Sequence, residues 1–182
     1  HEIEIVLSGC SHVPNKVTME QESTGIKGDT YRVHINGAIA EEINEETKYA
    51  LKYFNIEEPM LLEKVEEGQK VILVDHNEFS QSVEGIEKAK IDSVVDHHRI
   101  NNFQTSEPLF YYAQPVGCTS TLLFELYTLN HVEIEPKIAG LMLSAIISDT
   151  LLLKSPTTTI KDKKAVAKLA EIANVNVDEY GL

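Results

Sequence analysis

Residues 2–7 (EIEIVL) alternate polar and apolar positions and then run apolar, the pattern of a β-strand. Residues 8–42 are polar, rich in Gly, Thr and Ser, and show no sustained period; within them 31–35 (YRVHI) reads as a second strand. From Asn44 the period becomes helical. Asn44 is a suitable N-cap, Glu45 and Glu46 stand in the first turn, and Ile43, Ala50, Leu51 and Phe54 share a face. Residues 70–75 (KVILVD) and 92–96 (DSVVD) are short, continuous apolar runs of the kind buried on both faces of a parallel sheet. Between them, residues 80–89 are long enough for one short crossover helix. Three further helices are expected over 119–129, 137–148 and 160–173, the last opening on Thr159-x-x-Asp162, a capping-box signature. Strands alternating with helices predict an α/β fold: an open, doubly wound, mainly parallel sheet flanked by helices. Such sheets bind ligands beyond the carboxyl ends of their strands, where the strand order reverses.

Length and charge narrow the function. The chain has 182 residues, one domain's worth, and can bury roughly 70% of its unfolded surface without disulfides. Its net charge of −13 argues against a nucleic-acid binder that works by neutralising phosphates. A polyanionic ligand would need a metal ion or a local basic cluster to overcome that field. Cys10 and Cys118 carry no CxxC or finger spacing, so neither a disulfide framework nor a structural zinc site is expected. The longest apolar run, 138–153, is too short to span a bilayer and contains Asp149. The first residues lack a basic region followed by an apolar one, so no signal peptide is read. The expectation is a cytoplasmic single domain with no membrane partner.

Both apolar strands end in Asp followed by His: Asp75-His76 and Asp96-His97-His98. One such pair is commonly a turn former or a helix cap. Two at strand ends, with Asp149 interrupting LMLSAIISDTLLL, place carboxylates and imidazoles at the ligand edge. A carboxylate in an apolar run calls for a cation, and oxygen donors mixed with imidazole suit Mn²⁺, Mg²⁺, Co²⁺ or Zn²⁺. Paired divalent ions suit phosphoryl hydrolysis. His131 reads as solvated, Cys118 as a small core residue, and the Glu-rich stretch 41–67 as a solvated face.

The triplet Asp96-His97-His98 resembles the signature of the DHH phosphoesterase superfamily. Its surroundings are narrower: VILVDHNEFSQSVEGIE, VVDHHRINNF, YYAQPVGCTSTLL, IAGLMLSAIISDTLLLKSPTTT and KLAEIANVNVDEYGL, in that order, resemble family II inorganic pyrophosphatases over residues 43–182. The resemblance implies a manganese- or cobalt-preferring hydrolase, magnesium being a further candidate, that splits pyrophosphate into two phosphates. It implies an N-terminal DHH domain with a parallel sheet, a smaller C-terminal domain closing over it, and a homodimer formed through the first. Carried over motif by motif, Asp75 bridges two metal ions, His97 and Asp149 ligate one of them, and His98 contacts the substrate as a catalytic group.

Two departures limit the transfer. The family's Gly-His-x-Asn-Pro-Asp-x-Asp is replaced by SGCSHVPNKVT, in which His12 offers an imidazole but no carboxylates follow; Glu20, Glu22 and Asp29 fall at other spacings. The sequence ends at DEYGL, where the family continues into its second domain. The expectation is therefore a single DHH-type domain over 1–182, holding one ion where the family holds two, and weakly active alone. Two other readings stand beside it. One is a non-catalytic metal-binding and dimerisation module. The other is a DHH phosphodiesterase for short oligonucleotides, disfavoured by the acidic charge and the lack of a basic, aromatic-bearing surface.

Overall fold

The computed structural model describes residues 2–7, 16–19, 33–39 and 42–181, the first three stretches as backbone. Four parallel strands form the middle of the sheet. They are β1 (Glu2–Leu7), β3 (Val33–Ile39), β5 (Lys70–Val74) and β6 (Lys90–Asp96). β2 (Lys16–Met19) runs antiparallel along β3, while β4 (Met60–Leu61) and β7 (Phe110–Ala113) run parallel to β3 and β6. The order is β2-β3-β1-β5-β6-β7. The chain thus starts in the middle at β1, steps outward to β3, returns to β1's other side at β5, and steps outward again. That reversal puts the switch point between β1 and β5, beside the carboxyl end from which Asp75 emerges. The parallel α/β architecture expected from the sequence is what forms.

Alternation along the strands sends side chains to two different coverings. Val71, Leu73 and Val94 pack with Val65, Val83 and Ile86 on one face. Val95 packs with Val116 and Leu122 on the other. The second face is covered by α2 (Thr119–Leu129), behind which α3 (Pro136–Asp149) and α4 (Ile160–Ala173) build a core around Met142, Leu143, Ile146, Ala165 and Leu169. α1 (Glu45–Tyr53) docks on α3 through Ala50, Leu51, Phe54 and Leu141. A last short helix, α5 (Val177–Tyr180), lays Tyr180 against Tyr53 and Phe54, with ring centroids 4.8 and 5.7 Å apart.

Among the described residues no α-helix covers the first face. Residues 80–89, expected as one crossover helix, form two 3₁₀ turns, Phe79–Gln81 and Ile86–Lys88. Gly85 between them sits at φ 87°, and a Cβ there would stand 2.4 Å from the Val65 carbonyl oxygen. A left-handed residue in close backbone contact ends any helix at that point. β7 was not expected, and the second strand covers Val33–Ile39 rather than 31–35, of which 31 and 32 lie outside the described residues. The caps are as read: Asn44 accepts from the Thr47 N–H at 2.8 Å, and Thr159 and Asp162 form a complete capping box.

Candidate metal centre

The site grows from the ends of two adjacent strands. The Asp75 N–H donates to the Val95 carbonyl at 3.0 Å, a last rung between β5 and β6, and the chain then turns with Asp75 at φ 68°. A left-handed residue other than glycine costs on the order of 1–3 kcal/mol and survives where its surroundings over-determine it. Asp tolerates the conformation better than most. One strand over, β6 ends at Asp96, and His97 and His98 follow. His97 Nε2 lies 3.6 Å from Asp75 Oδ1. The rings of His97 and His98 are 4.1 Å apart at their centroids. One ligand atom from each of Asp75, His97 and His98 lies within 4.8 Å of the other two.

Second partners orient each imidazole. His97 Nδ1 donates to the Val116 carbonyl at 2.9 Å, which leaves Nε2 as the lone-pair nitrogen on the Asp75 side. His98 Nδ1 donates to Asp96 Oδ1 at 2.8 Å and leaves its Nε2 directed away from that carboxylate. Asp96 is fully buried; burial alone would raise its carboxyl, but the His98 ring, the Asn77 amide at 2.6 Å and the His98 backbone N–H hold it below the ordinary range. That anion in turn raises the His98 imidazole, so His98 carries its proton more readily than a free imidazole. Asn77 also donates to the Arg99 carbonyl at 2.9 Å and accepts from the Asn101 N–H at 3.0 Å, binding the strand-end loop to the turn after β5.

Asp75 sits in a different environment. Burial, opposed by the facing Thr119 hydroxyl and reinforced by the negative charge of Asp149, pushes its carboxyl up to about 7. Asp149, the last residue of α3, also acts on His98 and faces the Cys118 thiol, whose pKa burial and Asp149 together push up. Cys118 is therefore a buried neutral thiol rather than a nucleophile. Beyond Asp149, Leu151, Leu152 and Leu153 all adopt left-handed backbone at φ 49°, 54° and 62°, a turn that ends α3 sharply beside the site.

Of the sequence-predicted site residues, the fold brings Asp75, His97 and His98 into one group, with Asp149 near enough to act on two of them through its charge. The two Asp-His pairs do not play matching parts. From the first it is Asp75 that enters the site, while His76 is buried between the Val74 carbonyl at 3.2 Å and the Ser82 hydroxyl at 3.1 Å. From the second it is the histidines, and Asp96 stands behind them. His131 is exposed past the end of α2, as expected. His12, Glu20, Glu22 and Asp29 lie outside the described residues. Sequence reasoning missed Asn77, Thr119 and the Val116 carbonyl, although VDHN and PVGCT contain them.

The donor set fits a divalent cation of intermediate hardness. One carboxylate oxygen and two imidazole nitrogens converge, and a divalent cation there would favour the ionised carboxylate and displace to solvent the proton that the raised pKa of Asp75 retains. That chemistry suits Mn²⁺, Co²⁺ or Zn²⁺ better than Ca²⁺.

Comparison with known proteins agrees with this geometry. Residues 11–146 match the DHH family, N-terminal domain. Proteins named manganese-dependent inorganic pyrophosphatase are similar to the chain. The one from Oceanobacillus iheyensis is 58% identical over 141 residues, 78% of this chain and 46% of that protein. The one from Staphylococcus epidermidis strain ATCC 12228 is 52% identical over 163 residues, 90% of this chain and 50% of that protein. The chain spans about half the length of the curated relatives it matches. A crystal structure from Methanococcus jannaschii, described as a family II inorganic pyrophosphatase, superposes with a TM-score of 0.75 at 46% identity, over 79% of this chain and 50% of that one. An exopolyphosphatase-related protein from Bacteroides fragilis shares the fold, with a TM-score of 0.63 at 12% identity over 98% of this chain and 54% of that one. The resemblance read from the motifs is borne out, and the chain belongs to the DHH family, as its N-terminal domain.

Proposed function

We propose that this chain is a single DHH-type domain that holds manganese at the carboxyl edge of its sheet and serves the hydrolysis of pyrophosphate to two phosphates. The observation that supports this most directly is the convergence of Asp75, His97 and His98 within 4.8 Å, with the free nitrogen of His97 set by Val116. Asp75 and His97, joined by Asp149, would hold the ion; cobalt and magnesium are alternatives. A divalent ion there supplies Lewis acidity toward phosphoryl oxygen and water.

The chain's own residues do the rest. Pyrophosphate is a polyanion approaching a chain of net charge −13, so positive charge must be concentrated where it lands. His98 is placed for that: its Nδ1 is held by Asp96, its half-exposed side chain turns Nε2 away from that carboxylate, and the Asp96 anion raises its pKa and so favours the protonated ring. From that nitrogen it can neutralise a phosphoryl oxygen or protonate the departing phosphate. Asp96 and Asn77 keep the ring in place.

The finer parts of the reading belong to the same proposal. The domain pairs with a second copy through sheet edges, since edge strands present unpaired backbone groups. It works in the cytoplasm, consistent with Cys118 standing as a free thiol. Among the described residues no helix is long and apolar enough to cross a membrane. The test is phosphate release from pyrophosphate by the 182-residue chain with manganese, run beside cleavage of a labelled dinucleotide. Release that falls at least a hundredfold in His98→Gln supports the proposal. Dinucleotide cleavage without phosphate release would replace it with a phosphodiesterase. Manganese binding without either activity would leave a metal-binding module.

A further inference from the structure

Asp162 is fully buried in α4 and faces none of the candidate ligands. As the third residue of the helix it completes the capping box, accepting the Thr159 N–H at 2.6 Å and the Thr159 hydroxyl at 2.6 Å. Capping needs only the Thr159 N–H on this carboxylate and the Asp162 N–H on the Thr159 hydroxyl oxygen, and no burial. Yet the same carboxylate also accepts the Gly117 backbone N–H on both oxygens, at 3.1 and 3.0 Å, and the Thr121 hydroxyl at 2.6 Å. Gly117 is 45 residues away in sequence, and it is glycine for a reason visible in the packing. A Cβ there would stand 2.6 Å from Thr150 Cγ2 and 3.0 Å from Asp162 Oδ2. Gly117 is therefore wedged between Asp162 and the residue that follows Asp149.

The neighbours of Gly117 all reach the metal centre. The Val116 carbonyl accepts from His97 Nδ1 at 2.9 Å. The Cys118 thiol faces Asp149, and the Thr119 hydroxyl faces Asp75. A single grip on the Gly117 N–H thus fixes a segment whose other three members each address a different candidate ligand. We propose that Asp162 is a positioning residue of the metal centre: by anchoring Gly117 it places the Val116 carbonyl that selects the tautomer of His97, and with it the set of ligand atoms. The inference rests on the reading of Asp75, His97 and Asp149 as metal ligands, but its first consequence, the tautomer of His97, does not need the metal.

The experiment compares Asp162→Asn, Thr121→Val and Thr159→Ala in the full 182-residue chain, with Asp75→Asn as the control for the site itself. Two quantities are read: manganese affinity by electron paramagnetic resonance titration, and the ring ¹⁵N shifts of His97 in the metal-free protein. In Asp162→Asn one of the two oxygens that accept the Gly117 N–H is replaced by an amide donor, so the Gly117 grip is weakened. Expected are a weakening of manganese binding by about tenfold or more and a mixed His97 tautomer. Thr121→Val should move both in the same direction by less. Thr159→Ala, which takes one hydroxyl from the Asp162 carboxylate but leaves it the Thr159 backbone N–H, should lower thermal stability through the cap while leaving affinity within about twofold and the tautomer unchanged. Should Asp162→Asn fail to fold, the contrast between Thr121→Val and Thr159→Ala decides the matter, and equal effects from the two overturn the proposal. So does a folded Asp162→Asn with wild-type tautomer and affinity. If wild type binds no manganese, or Asp75→Asn binds as wild type does, the metal reading falls, and the His97 shifts still accept or reject the positioning role.

Discussion

Asp75 carries the sharpest consequence at the level of single residues. Its carboxyl is pushed up to about 7 by burial first and by Asp149 as well. An ordinary carboxyl in the unfolded chain titrates near 4, so between about pH 4 and pH 7 the unfolded state releases a proton that the folded state keeps. The metal-free domain therefore loses stability as pH rises through that window, by about 1.4 kcal/mol per unit, and levels off above it. Asp75→Asn removes the titration. Its melting temperature without metal should exceed that of wild type at pH 8 and converge with it at pH 4, as a pair of calorimetric scans would show. Manganese must displace the same proton, so its dissociation constant should rise about tenfold per unit as pH falls below 7. Isothermal titration in buffers of differing ionisation heat counts that proton. Asp149→Ala takes away a charge that raises Asp75. The variant should lose the manganese-induced rise in melting temperature while keeping a metal-free fold at least as stable as wild type. An unchanged metal-induced rise would remove Asp149 from the ligand set.

At the level of elements, the contact between α1 and α3 is the tightest test of the packing. Gly140 lies where a Cβ would meet the Phe54 ring at 2.2 to 2.5 Å. Phe54 is buried and packs against Leu141, so the ring has little room to withdraw. Gly140→Ala gains helix propensity of somewhat less than 1 kcal/mol but should lose about 1–3 kcal/mol to overpacking. Urea denaturation followed by circular dichroism should show a net destabilisation with an unchanged slope. A stabilised variant would mean that α1 can slide along α3. The same element scale shows where sequence reading is weak. The helices announce themselves through caps and period: Asn44 and the Thr159–Asp162 pair mark helix starts that the fold keeps. The 80–89 connection does not, because its shape depends on Gly85 meeting a carbonyl from residue 65.

For the whole molecule, charge is the dominant property. At −13, two copies repel each other wherever they meet. Screening shortens from about 10 Å in 0.1 M salt to about 3 Å in 1 M salt. Pairing through sheet edges should therefore tighten as salt rises, whereas manganese binding to an acidic chain should weaken. Sedimentation equilibrium at several ionic strengths measures the first and resonance titration the second. A chain that stays monomeric at every concentration and salt level removes the dimer from the proposed function.

The strand ends bearing Asp75 and Asp96-His97-His98, the Asp149 set in an apolar run and the α/β class were legible in the residues themselves. Each follows from short-range rules: an apolar run of strand length, a period of helix length, or a charge where burial would cost too much. Local pattern could not decide which member of each Asp-His pair would face the site. His76 and Asp96 turned out to be supports, because the left-handed turn at Asp75 and the hydrogen bond from Asn77 to Asp96 depend on how β5 and β6 stand side by side. Nor could it show that Val116, Cys118 and Thr119 each meet a different candidate ligand, or that Asp162 holds the glycine between them. Those contacts join residues tens of positions apart, the ones at Val116 and Gly117 through backbone groups, and a backbone carbonyl or N–H has no letter of its own in a sequence. Only the packing of α2, α3 and α4 on the sheet brings them within hydrogen-bonding distance.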